Sequence, residues 1–410
     1  MKWFVRHINL PVAVVLLFML SVVASCERKP LYLRGQGSTR IDFADFEVKL
    51  ELLWGVDWET EWQYEWDEKL WGPIGYTEPD WMRAFFYDVQ RNDTSKVRTS
   101  NFYEMFTTRK ENSVTLKTNA WCDMLFYTAG TEYILFDPAS DNSYYNATTR
   151  SSSKGQYRAR GPRTARDPRA LRAFVDRNPP DELVGTPIED LWISDDPNDY
   201  EARLNPDGST TYIYHIKANL RPYTFIYLYQ VMLLNNYDEK GIRVKGCQGM
   251  TADGVAEGVE LFSRHTYPTQ VSVTTDDGDV KPLQAHRMLT LPDGTRTEGD
   301  IFAARMLTWG LPDMVPLDYF SRGVTQDRSD IFHTLGIGLV LRNGQVYTVE
   351  EDVTEQMEKK PTGGVITVVL DTKEIPDSII NEPPTPPSGG GAFNASVKDW
   401  ENIINAIIEI

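Results

Sequence analysis

An all-β fold is predicted by three observations. Apolar and polar residues alternate with period two in several stretches, those stretches are short and bounded by Gly, Pro, Asn or Asp, and none carries a sustained helical period. Alternation sets successive side chains on opposite faces of a strand, one toward a core and one toward water. The first run holds Phe46, Val48, Leu50, Leu52 and Trp54, interleaved with Glu47, Lys49 and Glu51. It formally continues through Val56, Trp58, Trp62, Tyr64 and Trp66, but strands seldom exceed about ten residues. Gly55-Val56-Asp57 is therefore expected to end it.

Further strands are expected at Trp81–Val89, Ser113–Thr118, Trp121–Tyr127 and Thr131–Phe136, punctuated by turns such as Thr128-Ala129-Gly130. Between about Asn146 and Pro180 the composition shifts, because Arg150, Lys154, Arg158, Arg160, Arg163, Arg166, Arg169 and Arg172 crowd a stretch poor in large apolar groups. Such a stretch buries too little apolar surface to offset its ordering entropy and reads as a mobile loop or linker. Leu183–Tyr200 reads as an acidic connector. A second β-rich region holds Thr210–Leu220, Tyr223–Leu234, Val259–His265, Gln270–Thr275, Ile301–Trp309, Thr334–Arg342 and Gln345–Val349, with Arg342-Asn343-Gly344-Gln345 as a hairpin turn. Val353–Lys359 has the length of a short helical turn, and Gly364–Leu370 reads as a final core strand.

At roughly 100–200 residues per domain, a chain of 410 residues fits two globular domains. The expected map is a signal over 1–25, a leader over 26–43, a first β-domain over 44–149, a linker or insertion over 150–209, a second β-domain over 210–381, a Pro/Gly linker over 382–391 and a terminal apolar segment over 392–410.

The N-terminus addresses location. Lys2 and Arg6 precede the apolar run Leu10–Val23, which Val23-Ala24-Ser25-Cys26 closes. The run is shorter than the roughly 20 residues that span a bilayer, and no stop-transfer flank follows. Small residues before a cysteine resemble a bacterial lipoprotein signal, which implies cleavage before Cys26 and a membrane anchor through its acyl chains. Several such chains make attachment effectively permanent. The net charge of -17 becomes more negative once Lys2 and Arg6 are removed, and so acidic a surface repels phosphate backbones, which argues against a nucleic-acid partner. Cys122 and Cys247 remain; an oxidising compartment would allow them to pair, but their distance in sequence favours two buried free thiols.

No reactive constellation is present. His215, His265, His286 and His333 form no His-Glu-x-x-His pair, and there is no Gly-x-Ser-x-Gly elbow, phosphate loop or paired-cysteine knuckle. No catalytic residue, cofactor or metal site is expected. The sharper candidate is the loop with Trp54, Trp58, Trp62, Trp66 and Trp71, followed by Trp81. Flat indole faces stack on sugar rings, and Asp57, Glu59, Glu61 and Glu65 would accept hydrogen bonds from hydroxyls. The alternative, which the alternation favours, is that the rings are simply buried on a sheet face.

The layout resembles the fimbrillin-like surface lipoproteins of Bacteroidales-type bacteria, in a subgroup whose domain has no assigned function. The resemblance is carried by Cys26 and its leader, by Val48–Trp54, by the segment Cys122–Phe136 and by the Arg221–Tyr227 opening of the second half. Gly344–Tyr347, Asp352–Gln356 and the tail Gly390–Trp400 complete it. It implies two tandem transthyretin-like or Ig-like β-sandwiches, location on the outer membrane at the cell surface, and a non-enzymatic role as fimbrial anchor, accessory subunit or adhesin. Fimbrial subunits, or a host or cell-surface glycan or protein, would be the partners. A carbohydrate-binding lipoprotein of a glycan-uptake system is the alternative. Relatives of this kind are matured by cleavage after arginine, which makes Arg150, Arg158 and Arg160 a candidate processing loop; a solvated charged loop is the plainer reading. The apolar tail Phe393–Ile410 either adds a strand to its own second domain or is donated to a partner's sheet.

Overall fold

A computed structural model describes residues 41–50, 58–77, 79–92, 95–107, 118–137, 148–151, 163–165, 174–275, 278–314 and 332–381. The first half runs β1 (Ile41–Leu50), α1 (Trp58–Glu61), α2 (Glu68–Trp71), β2 (Trp81–Asn92), β3 (Ser95–Thr107), β4 (Ala120–Thr128), β5 (Ile134–Asp137), β6 (Thr148–Ser151), β7 (Arg163–Ala165), β8 (Val175–Arg177), β9 (Val184–Ile193), β10 (Glu201–Leu204) and β11 (Thr210–Pro222). The second runs β12 (Phe225–Leu234), β13 (Tyr237–Asp238), β14 (Gly241–Ile242), β15 (Val244–Ala256), β16 (Gly258–Glu260), β17 (Gln270–Thr274), β18 (Val280–Thr290), β19 (Arg296–Thr308), β20 (Thr334–Leu341), β21 (Val346–Asp352), α3 (Thr354–Lys359), β22 (Gly364–Asp371) and α4 (Asp377–Asn381). The all-β class is observed, and Val353–Lys359 does supply a short helix.

The first sheet has the order β1-β11-β9-β4-β2-β3, with β10 also on β11. It folds over on itself through β11, whose body pairs with β1 in parallel while its last two residues, Arg221 and Pro222, pair with β9. Ile216, Ala218 and Leu220 of β11 thereby close on Met82, Ala84 and Phe86 of β2 and on Met124 and Phe126 of β4. The opposite face of β2 and β4 is also covered. Phe85, Tyr87, Leu125 and Tyr127 pack against Tyr223, Ala256, Val259, Leu261 and Trp309, which joins the two halves through a second apolar layer.

The second half stacks a six-stranded sheet, β7-β21-β20-β15-β17-β8, on a four-stranded one, β18-β19-β12-β22. Strand β12 explains the arrangement. Its sequence Phe-Ile-Tyr-Leu-Tyr-Gln-Val-Met-Leu-Leu has almost no polar alternation, as expected of a strand covered on both faces. Phe225, Tyr227, Tyr229, Val231 and Leu233 enter the core between the sheets, while Ile226, Leu228 and Met232 look outward onto another apolar layer. Each large side chain so buried contributes about 1.5–3 kcal/mol.

Several sequence boundaries move. The first strand starts at Ile41 and is described only to Leu50, and Ser113–Thr118 lies almost wholly outside the described residues. The described parts of the basic stretch hold three short strands: β6 pairs with β16, β7 with β21 and β8 with β17. Backbone pairing recovers the order that their side chains could not supply. The acidic connector is β9, a strand between β4 and β11, and Thr210–Leu220, expected to open the second domain, is in the first sheet. Strands β3, β15 and β18, which carry many polar residues, have no strong sequence signal. The two sandwiches are thus interleaved rather than strictly consecutive.

Candidate functional site

The segment from Trp58 to Thr77 leaves the first sandwich after β1, crosses the outer face of the four-stranded sheet, and returns to begin β2. Trp62, Tyr64, Trp66 and Trp71 pack on Met232, Leu289, Ile301 and Ala303, and Ile74 and Tyr76 pack on Ile226, Leu228, Leu307 and Val365. This strap is the outward apolar layer that β12 requires. Its rings are mutually tilted, with centroids 5.9 Å apart for Trp62 and Tyr64 and 5.4 Å for Trp66 and Trp71.

Backbone bonds from sheet side chains hold the strap in place. Gln230, the lone polar residue facing outward from β12, accepts from Gln63 N at 3.0 Å and donates to Glu61 O at 2.9 Å. Gln284 accepts from Glu65 N at 3.2 Å and donates to Glu65 O at 2.9 Å. Arg305 donates to the carbonyls of Ile74 and Gly75, at 3.0 and 3.1 Å, and pairs with Glu182. Lys360 pairs with Glu61 and Arg287 with Glu65. The Tyr64 hydroxyl donates to Pro282 O at 2.9 Å, and burial pushes its pKa up to about 12. The Lys281 ammonium lies 5.4 Å from the Trp66 ring centre and 5.5 Å from that of Trp71, and partial burial lowers its pKa. That is cation–π geometry, and the cation is the protein's own.

The structure therefore brings Trp62, Trp66 and Trp71 together on a sheet face. Glu61 and Glu65, imagined as acceptors for sugar hydroxyls, face cations of the second sandwich. Trp54 lies outside the described residues; of Trp58 only the backbone of α1 is described. Trp81 stands apart at the start of β2 and is half-exposed. Arg150 is in β6, opposite Leu135 and Gly258, while Arg158, Arg160, Cys26 and the tail lie outside the described residues. Cys122 and Cys247 are free, and burial pushes both thiols up to about 12. His265 lies 3.3 Å from Asp313 and His286 lies 3.1 Å from Glu298. Among the described residues no group of three or more His, Cys, Asp or Glu is placed to hold a metal, and no helix is long and apolar enough to cross a membrane.

The sequence reading overlooked the glutamines. Gln230 was detectable in principle, as a solitary amide inside an apolar strand; Gln63 and Gln284 stand among polar neighbours and give no such sign.

Fold and site together define a two-sandwich β-protein whose aromatic segment is a structural strap. No family model matches the chain, and no curated protein does. Similar solved structures include a candidate adhesin from Bacteroides ovatus, 13% identical, covering 84% of this chain and 96% of its own, with a TM-score of 0.39. They also include a candidate adhesin from Bacteroides thetaiotaomicron, 9% identical, covering 72% and 85%, with a TM-score of 0.40. A third is the fimbrial anchor protein Mfa2 from Porphyromonas gingivalis, 11% identical, covering 80% and 90%, with a TM-score of 0.35. Likeness at this level carries no argument about function.

Proposed function

We propose that this chain is a non-enzymatic, lipid-anchored protein of the outer membrane, acting at the cell surface as a fimbrial anchor, accessory subunit or adhesin. The observation that carries the reading is the apolar run closed by Val23-Ala24-Ser25-Cys26 ahead of an all-β body. Its support is the order of motifs along the chain and the absence from the sequence of a recognisable catalytic constellation. The described part of the tryptophan loop is assigned a packing role, because Trp62, Trp66 and Trp71 pack on the sheet and Glu61 and Glu65 pair with the protein's own cations; this weakens the glycan-uptake alternative. Partners are expected to be fimbrial subunits or a surface ligand.

The test is Cys26→Ser. With acyl chains as the sole attachment, the variant is expected to lose fatty-acid label and to leave the membrane fraction. Unchanged labelling or fractionation would overturn the anchor and, with it, the reading.

A further inference from the structure

Among the described residues the four-stranded sheet ends at β18 on one side and at β22 on the other. Unpaired edges invite strand addition, and proteins that remain discrete usually obstruct them. At β22, whose described ladder partner is β12 alone, the Gln356 side chain of α3 accepts from Thr367 N and donates to Thr367 O, each at 2.9 Å. Lys360 occupies the carbonyl of Val365 two residues earlier. At β18, Leu291 N donates across the hairpin to Thr295 O, so by antiparallel alternation Thr290 turns its N–H and C=O outward. Both are taken by Gln63 of the strap, which accepts from Thr290 N at 2.7 Å and donates to Thr290 O at 2.7 Å. Further along the same edge Pro282 lacks an N–H, and its carbonyl accepts the Tyr64 hydroxyl.

A glutamine amide carries an NH2 and a carbonyl on one carbon, so one of its N–H groups and its oxygen can meet the C=O and N–H of a single residue. Each glutamine therefore satisfies one edge residue as a neighbouring strand would, but ends there and propagates no ladder. We propose that Gln63 and Gln356 are edge plugs that keep this sheet from pairing with an extended segment of a second copy of the chain. The strap thus has two duties: it covers the sheet's outer face and closes one of its edges.

The test uses the full chain with Cys26→Ser, compared with the same chain carrying Gln63→Met and Gln356→Met. Methionine keeps length and removes both hydrogen-bonding groups. The double variant is expected to shift from the parent's size to concentration-dependent dimers and larger species in light scattering, with each single variant intermediate. A folded double variant that keeps the parent's size at every concentration would overturn the proposal. Hydrogen exchange on the parent covers the case in which the variants fail to fold. The amides of Thr290 and Thr367 are expected to exchange as slowly as interior ladder amides, and exchange at exposed-loop rates would equally overturn it.

Discussion

Arg243 shows how single residues weld the second sandwich. The residue is 5% exposed, and its guanidinium donates to Asp238 at 3.0 Å, to Asp377 at 2.7 Å and to the carbonyls of Thr372 and Ile375. Asp238 also binds Arg342, and that bond, followed by backbone and Arg243 bonds, holds its carboxyl well below the usual range near 4. A carboxyl whose folded pKa is depressed contributes stability that is complete above its unfolded value and fades as pH falls toward the folded one. Stability is therefore expected to decline between roughly pH 5 and 2, and Asp238→Asn is expected to flatten that decline while lowering stability at neutral pH. Urea unfolding across the range checks both; an unchanged acid slope would show that other carboxyls govern it.

The strap is the informative element. In Gln230→Leu the core keeps its volume, but the partly buried Gln63 N–H, Glu61 C=O and Thr367 hydroxyl lose their partner, at a cost of up to about 1 kcal/mol for each. The melting temperature is expected to fall by about 2–4 °C per kcal/mol, and a variant that melts like the parent would refute the clasp. The same element shows what was readable in advance. Apolar strands such as β12 and β22 declared themselves, as did the Arg342–Gln345 turn, where Gly344 takes a φ of 84°. Alternation pointed to packing of aromatic rings, and Trp62, Trp66 and Trp71 are partly buried on a sheet while Trp81 is exposed, yet it could not name the surface, since that sheet belongs to residues some two hundred positions away. Strands β7 and β8 were unreadable because three residues of Arg-rich or mixed character owe their extended form to partners distant in sequence.

At the scale of the molecule, the chain visits the second sandwich as strap, β7 and β8 before the second half begins, and keeps β1, β2, β4, β9 and β11 in the first. Interleaving of this kind should outlast a broken backbone. A chain cut at a protease site introduced at Arg158 is expected to migrate as one particle under native conditions and to separate into two fragments only in denaturant. Spontaneous separation in buffer would show that the crossing elements contribute little.

The parallel pairing of β1 with β11 acquires a mechanical meaning if the N-terminus is tethered. Pulling β1 from its start, while the rest of the body is held beyond the end of β11, drives the two strands past each other. The register from Ile41↔Tyr212 to Leu50↔Leu220 is then loaded in shear, its hydrogen bonds sharing the tension instead of opening one by one like a zipper. Resistance to such traction is governed by the unfolding rate rather than by equilibrium stability. The strand nearest the tether would thus serve as a force-bearing clamp, suited to a molecule that is tugged.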